Sequence, residues 1–335
     1  MADYIVLTLE RESAKAISAR LAHVTDYIAH LGHLALRCEQ VNEEWIRRFR
    51  TWLAKKPVIS TAGKIRREPR APSTIENSVI QLAAAINAAH ARGDTTRPAQ
   101  FRPIQTKELN RTPRRRLTVE QLAEAFRYAI DPQFSVKRAN LQRFLIASVS
   151  TLGRPDAIYD LSTDPARKQW DGNLQIIHLN PNGRRQTKKY RAIVRAPWQL
   201  ALQLDQASGF YVGVGSVRSA FDAMCEELGW AKNGEHGTKL IRRSVAQLLR
   251  DPARGVPTEQ LELQLGHRRI DSVTELYGAF DPAYLREVTA AIESLIDEVE
   301  VLVPGAFHRK HTGPSNRIIV NTGHPEGQLT HRKGP

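Results

Sequence analysis

Arg154 stands in TLGRPDA, between a glycine suited to end one helix and a proline suited to begin the next. A guanidinium at such a junction can be held rigidly and aimed at an anion, although a lone arginine there more often caps a helix end. Arg242 lies in TKLIRRSVAQLL, where helical spacing sets it above Ala246 and Leu249 on the side that packs. Its neighbour Arg243 sits above Gln247 and Arg250, on the side that meets water. An arginine on an apolar stripe needs a neutralising anion, and the sequence leaves open whether that is an internal carboxylate or a ligand phosphate. Further on, LGHRRIDSVTELY puts His267 behind a Leu-Gly turn and Tyr277 ten residues later. By itself His267 reads as a capped or buried histidine.

The whole chain favours a phosphate-bearing partner. Lys and Arg number 49 against 35 Asp and Glu, a net charge of +14 over 335 residues, which points to nucleic acid. No apolar run approaches the ~18 to 20 residues of a membrane span, and the N-terminus has no basic region before an apolar block, so a cytoplasmic protein without membrane attachment is expected. Cys38 and Cys225 are far apart and lack metal-ligand spacing, so neither a disulfide framework nor a metal site is expected. HRKH at 308–311 reads as a basic tail rather than a ligand set.

The elements that must position these residues are mostly helices. Asn42 is placed to cap EEWIRRFRTWLAKK, whose Trp45, Ile46, Phe49, Trp52 and Leu53 form an apolar face opposite a basic one of Arg47, Arg48, Arg50, Lys55 and Lys56. A loop with Arg66 and Arg67 follows. Ser73 and Glu76 then form a capping-box signature for a helix ended by Gly93. Residues 93–116, with Arg114, Arg115 and Arg116, read as an interdomain linker, either solvated or lying along phosphates as a basic strap. Thr118 and Gln121 make a second capping box, opening a domain over 113–300. Within it LQIIHL (174–179), the turn NPNG and KKYRAIVRA predict a β hairpin. DPAYLREVTAAIESLIDEVEVL, 281–302, predicts an amphipathic helix, and 301–335 reads as a basic, largely disordered tail. The fold expected is mainly α with a small antiparallel β hairpin or sheet, in two domains, 1–112 and 113–300.

Arg154, Arg242, His267 and Tyr277, taken in order with a hairpin between the arginines, resemble the tyrosine recombinase (phage integrase) family. The resemblance covers most of 114–300, and the LGH-to-tyrosine segment is its most specific part. It implies a helical core-binding domain that clamps duplex DNA, followed by a catalytic domain, without metal or nucleotide cofactor. Tyr277 would be the nucleophile forming a 3′-phosphotyrosyl bond, with Arg154, Arg242 and His267 on the phosphate. The general acid would be Lys188, with Lys189 as the alternative. Lys239, three residues before Arg242, would accept or relay the tyrosine proton. Arg47, Arg48, Lys55, Lys56, Arg66, Arg67 and Arg114–Arg116 would contact DNA. Four copies would assemble on a recombination site, with the helix 281–302 docking either on its own domain or on a neighbouring copy.

Ala157 stands where relatives carry an acidic residue three positions after the first arginine, so Asp156 or Asp160 would orient Arg154 instead. A DNA-binding regulator that does not cut, and a type IB topoisomerase-like relaxing enzyme, are the alternatives on the same scaffold.

Overall fold

The computed structural model describes residues 1–307 apart from 12, 34–35, 60–64, 66–68, 110–112, 188, 231–234 and 268–280. The chain divides into two compact units, Met1–Thr112 and Pro113–Pro335.

The first unit is helical, with helices Ala2–Val6, Ala14–His30, Glu43–Lys55, Pro72–Ala91 and a short turn Thr106–Leu109. Asn42 caps the third of these, its Oδ1 accepting from Trp45 N at 3.0 Å. The apolar face of that helix buries Trp45, Ile46, Phe49 and Leu53 against Val24, Tyr27, Val79, Leu82 and Ile86. Tyr27 meets the Trp45 ring edge-on at 5.0 Å. Gly93, at φ +82, closes the fourth helix as expected.

The Ser73–Glu76 capping box does not form. The helix starts instead at Pro72, whose fixed φ suits a first position, and Glu76 is buried. Its carboxylate takes a fork from Arg50, Nε at 2.9 Å and Nη2 at 2.7 Å, and a third bond from Ile104 N at 2.6 Å. That third bond explains a second departure. The first part of the expected linker is packed on the unit, with Phe101 in its core and Arg102 N donating to Glu43 at 2.6 Å.

In the second unit, Thr118 and Gln121 form the predicted reciprocal cap of the helix Val119–Ile130. The next helix, Ser135–Thr151, buries every residue from Phe144 to Thr151. Apolar or small side chains all round that stretch let it serve as the central strut. It packs against Val119–Ile130, Lys239–Leu248 and Arg286–Leu302. Three short strands lie to the side, β1 (Trp170–Asp171), β2 (Ile176–His178) and β3 (Ile193–Arg195), antiparallel in that order. The predicted hairpin is the β2–β3 pair, with Ile177 opposite Val194. The strand β1 was not predicted.

The stripe Val288, Ala291, Ile292, Leu295, Ile296 and Val299 of Arg286–Leu302 is buried in the core of its own unit, the cis docking of the two that the sequence left open. A further expectation changes. Residues 301–307 are not the start of a disordered tail. Val303, Ala306 and Phe307 are buried, and the Phe307 ring lies 4.6 Å from that of Phe126. The remainder of the tail, 308–335, lies outside the described residues. No helix among the described residues is long and apolar enough to cross a membrane.

Replacing Glu76 by alanine would leave the Arg50 guanidinium and the Ile104 amide without their acceptor. Urea unfolding should show the first unit destabilised by roughly 3 kcal/mol.

Candidate active site

Arg154 is presented by a sharp break between two helices. The residue that turns the chain out of Ser135–Thr151 is Leu152, at φ +50, not Gly153 as its sequence suggested. Gly153 is needed for space instead, since a Cβ there would lie 3.0 Å from Thr151 Oγ1 and 3.2 Å from Ile158 Cγ1. A leucine in the left-handed region costs on the order of 1 kcal/mol, the kind of local strain that packed sites retain. Arg154 then caps Pro155–Tyr159, with Pro155 in the first position as predicted. Its Nη1 donates to the Tyr190 carbonyl at 2.6 Å.

Arg242 projects from the middle of Lys239–Leu248, half-buried, while Ile241 and Val245 enter the core. Nη1 donates to the Leu152 carbonyl and Nη2 to the Leu265 carbonyl, the latter at 2.6 Å. The same Nη2 lies 3.3 Å from His267 Nε2. A guanidinium can only donate, so Nε2 accepts and the proton of the neutral ring sits on Nδ1.

His267 is carried by the Leu-Gly-His turn, which is a Schellman motif closing Thr258–Gln264. Gly266 N donates to Leu263 O and His267 N to Glu262 O, both at 2.9 Å. Gly266 has φ +59, and a Cβ on it would come within 2.8 Å of the Tyr190 carbonyl. Only glycine satisfies both the turn and this close approach. Gln264, at the end of the same helix, donates to the Thr151 carbonyl at 3.1 Å and ties the turn to the Arg154 junction.

Arg154 and Arg242 thus line one small cleft with Gly153, Tyr190, Gln264 and Leu265. Among the described residues no carboxylate lies within ion-pair distance of either guanidinium, so backbone carbonyls fix the two cations without neutralising them. Burial, with the Arg154 charge beside it and only Asp156 opposing, brings Arg242 down to about 10, so it stays charged at neutral pH. His267 is lowered as well, first by burial and then by Arg242 and Arg154. Two fixed cations and a neutral imidazole, brought together by these turns, are groups suited to an anion such as a phosphate.

The remaining candidates are more scattered. Lys239, exposed, begins the helix one turn before Arg242 and on the same side. Tyr277 and Lys188 lie outside the described residues. Lys189 is exposed in a bend and not on β3, although the sequence predicts KKYRAIVRA to belong to the hairpin. The Gln186 side-chain amide takes both backbone hydrogen bonds of Arg191, at 3.1 and 3.2 Å. Asp156 and Asp160 do not orient Arg154. They hold Arg191, which sequence reasoning missed because nothing in YRAIVRA marks which of its arginines is buried.

Of the expected DNA contacts, Arg47 and Arg48 both engage Glu44, whose carboxyl is held at about 2 chiefly by hydrogen bonds from Arg47 and Arg48. Lys55 is exposed, and Lys56 pairs with Asp26 at 2.6 Å over the Trp52 ring. Arg66 and Arg67 lie outside the described residues. Arg114 is exposed, the Arg115 guanidinium stacks 5.1 Å from the centre of the Trp230 ring, and Arg116 donates to the Pro113 and Arg115 carbonyls. Arg243, expected to face water, is half-buried and donates to the Glu235 carbonyl at 2.8 Å.

Residues 3–100 match the phage integrase SAM-like domain. No curated protein matches the chain. Among solved structures, the Tn1549 transposon integrase in complex with transposon right end DNA is similar at a TM-score of 0.55 and 14% identity, over 87% of this chain and 98% of that one. The XerH site-specific recombinase bound to difH substrate follows at 0.45 and 16%, over 83% of this chain and 79% of that one. The chain has the fold of the Tn1549 integrase, with a phage integrase SAM-like domain in its first unit, in keeping with the resemblance carried by its motifs.

Gly266→Ala should cost about 1 to 2 kcal/mol through its left-handed φ alone, and more through the clash with Tyr190, read as a lower Tm. The lowered His267 pKa sets a second expectation. Its contribution to stability is complete above its ordinary value of 6.5 and is lost as pH falls from there through the folded value. Unfolding free energy measured between pH 5 and 7.5 should therefore rise with pH, and His267→Gln should flatten that rise.

Proposed function

We propose that this protein, with its tyrosine recombinase fold, is a site-specific DNA recombinase that cuts and rejoins strands through a covalent 3′-phosphotyrosyl intermediate. What supports the reading above all is the cleft lined by Arg154 and Arg242 beside His267, where no carboxylate among the described residues pairs with either guanidinium. A phosphodiester is the ligand that such a site would neutralise.

In this reading Tyr277 Oη attacks phosphorus in line with the departing 5′ oxygen. Negative charge grows on the non-bridging oxygens, where Arg154 and Arg242, already immobilised by carbonyls, need no reorganisation to meet it. The Nδ1 proton of neutral His267 adds a hydrogen bond. A lysine of the loop before β3, Lys188 or Lys189, protonates the leaving 5′ oxygen, and Lys239 accepts or relays the tyrosine proton. The phosphorus–oxygen bond to deoxyribose breaks as the bond to tyrosine forms, so its energy is retained. Attack by another strand's 5′-hydroxyl then expels the phenolate and completes exchange without a nucleotide cofactor. Exposed Lys55 and Arg114, together with the other basic candidates, would contact duplex DNA. Exchange between two duplexes calls for a tetramer on a recombination site, assembled through surfaces other than the buried stripe of Arg286–Leu302. Such an enzyme would work in the cytoplasm.

Incubation with nicked duplexes drawn from the DNA flanking its gene should give protein-linked DNA on a denaturing gel. Tyr277→Phe should abolish the adduct while leaving DNA binding intact, and Arg242→Ala should slow its formation on the order of 100- to 1000-fold. Salt-sensitive binding with no adduct would instead make the protein a non-cutting DNA-binding regulator.

A further inference from the structure

Arg191 is a buried arginine in the wall of the same cleft, to which the mechanism above gives no task. It is 7% exposed and lies among two carboxylates, with Nη1 at 2.5 Å from Asp160 Oδ2 and Nη2 at 3.3 Å from Asp156 Oδ2. Asp160 also accepts from Arg167, so the group is charge-balanced, two arginines against two aspartates. Burying such a network brings little net stability compared with apolar side chains of similar volume. Its geometry, however, converges on one peptide.

That peptide joins Tyr190 to Arg191. Its carbonyl accepts from Arg154 Nη1 at 2.6 Å and is the atom that a Cβ on Gly266 would meet. Its N–H donates to Gln186 Oε1 at 3.2 Å, closing the loop that carries Lys189. Because a peptide unit is planar, fixing one edge fixes the other. The Arg191 side chain anchors this plane to Asp156 and Asp160, which belong to or directly follow the short helix capped by Arg154. One buried side chain thereby sets the distance between the Arg154 junction, the turn that carries His267 and the lysine-bearing loop.

We infer that Arg191, braced by Asp156 and Asp160, is a positioning residue for strand cleavage, acting through the Tyr190 carbonyl on Arg154. The inference rests on the recombinase reading. It also accounts for Ala157: with the orienting acid missing from that place, Arg154 takes its direction from a carbonyl, and the carbonyl takes its direction from Arg191.

The test measures single-turnover cleavage of a nicked duplex with either an ordinary phosphate or an uncharged methylphosphonate at the scissile position. Lysine keeps the charge of Arg191 but cannot fork onto two carboxylates. Arg191→Lys should bind DNA normally yet cleave the ordinary phosphate roughly 10- to 100-fold more slowly, as expected for a misplaced catalytic group. On methylphosphonate, with one non-bridging charge removed, Arg154 matters less, and Arg191→Lys and Arg154→Ala should both come within a few-fold of the unsubstituted protein. An Arg191→Lys deficit of equal size on both substrates, or no deficit on either, would overturn the proposal. If Arg191→Lys does not fold, Asp156→Asn, at a largely exposed carboxylate, should give the same substrate-dependent pattern in smaller measure, and its absence would be equally decisive. If the unsubstituted protein forms no adduct with either duplex, the recombinase reading itself falls, and this inference with it.

Discussion

Arg154 and Arg242 line one cleft in which no carboxylate among the described residues pairs with them, and much of the second unit is arranged to make that tolerable. Carbonyls from Leu152, Leu265 and Tyr190 supply direction without cancelling charge. A carboxylate in the same place would be more stabilising in the empty protein and would compete with any incoming anion. The arrangement therefore trades resting stability for an unfilled demand that a phosphate can meet. Burial sharpens that demand, since the Arg242 guanidinium has exchanged water for two dipoles and a neutral imidazole.

Each carbonyl is fixed by something different. Leu152 points its oxygen at Arg242 because a non-glycine residue is held in the left-handed region at the end of Ser135–Thr151, whose second half is buried. Leu265 is the C-cap of Thr258–Gln264, where the Schellman turn that follows delivers His267 to the same guanidinium. Tyr190 is held through its neighbour Arg191. A helix end, a turn and a loop, far apart in sequence, are brought to one spot by the shared core beneath them.

The sequence made some of this legible and hid the rest for identifiable reasons. Helix faces and the caps at Asn42 and Thr118 follow from periodicity and local hydrogen bonding, and both caps form as expected. Arg154, Arg242 and His267 could be singled out because short-range motifs mark them. What was hidden depends on long-range partners. Glu76 has the right spacing for a capping box, but Arg50, 26 positions away, claims its carboxylate. Gly153 looks like a cap because glycine usually takes that conformation, yet tight packing on Ile158 uses it and the turn falls on Leu152. The buried Arg191 was invisible because an arginine in a short polar-looking segment gives no sign of two aspartates folding back to meet it.

Phe307 has a consequence for the order in which the polypeptide matures. Among the described residues the apolar core of the first unit ends at Phe101, so it can close while later residues are still being synthesised. The second core is completed by Arg286–Leu302 and by the Phe307 ring against Phe126, so its closure waits for almost the last segment of the described chain to emerge from the ribosome. The cleft built on that core is accordingly finished late, after the first unit is free to fold.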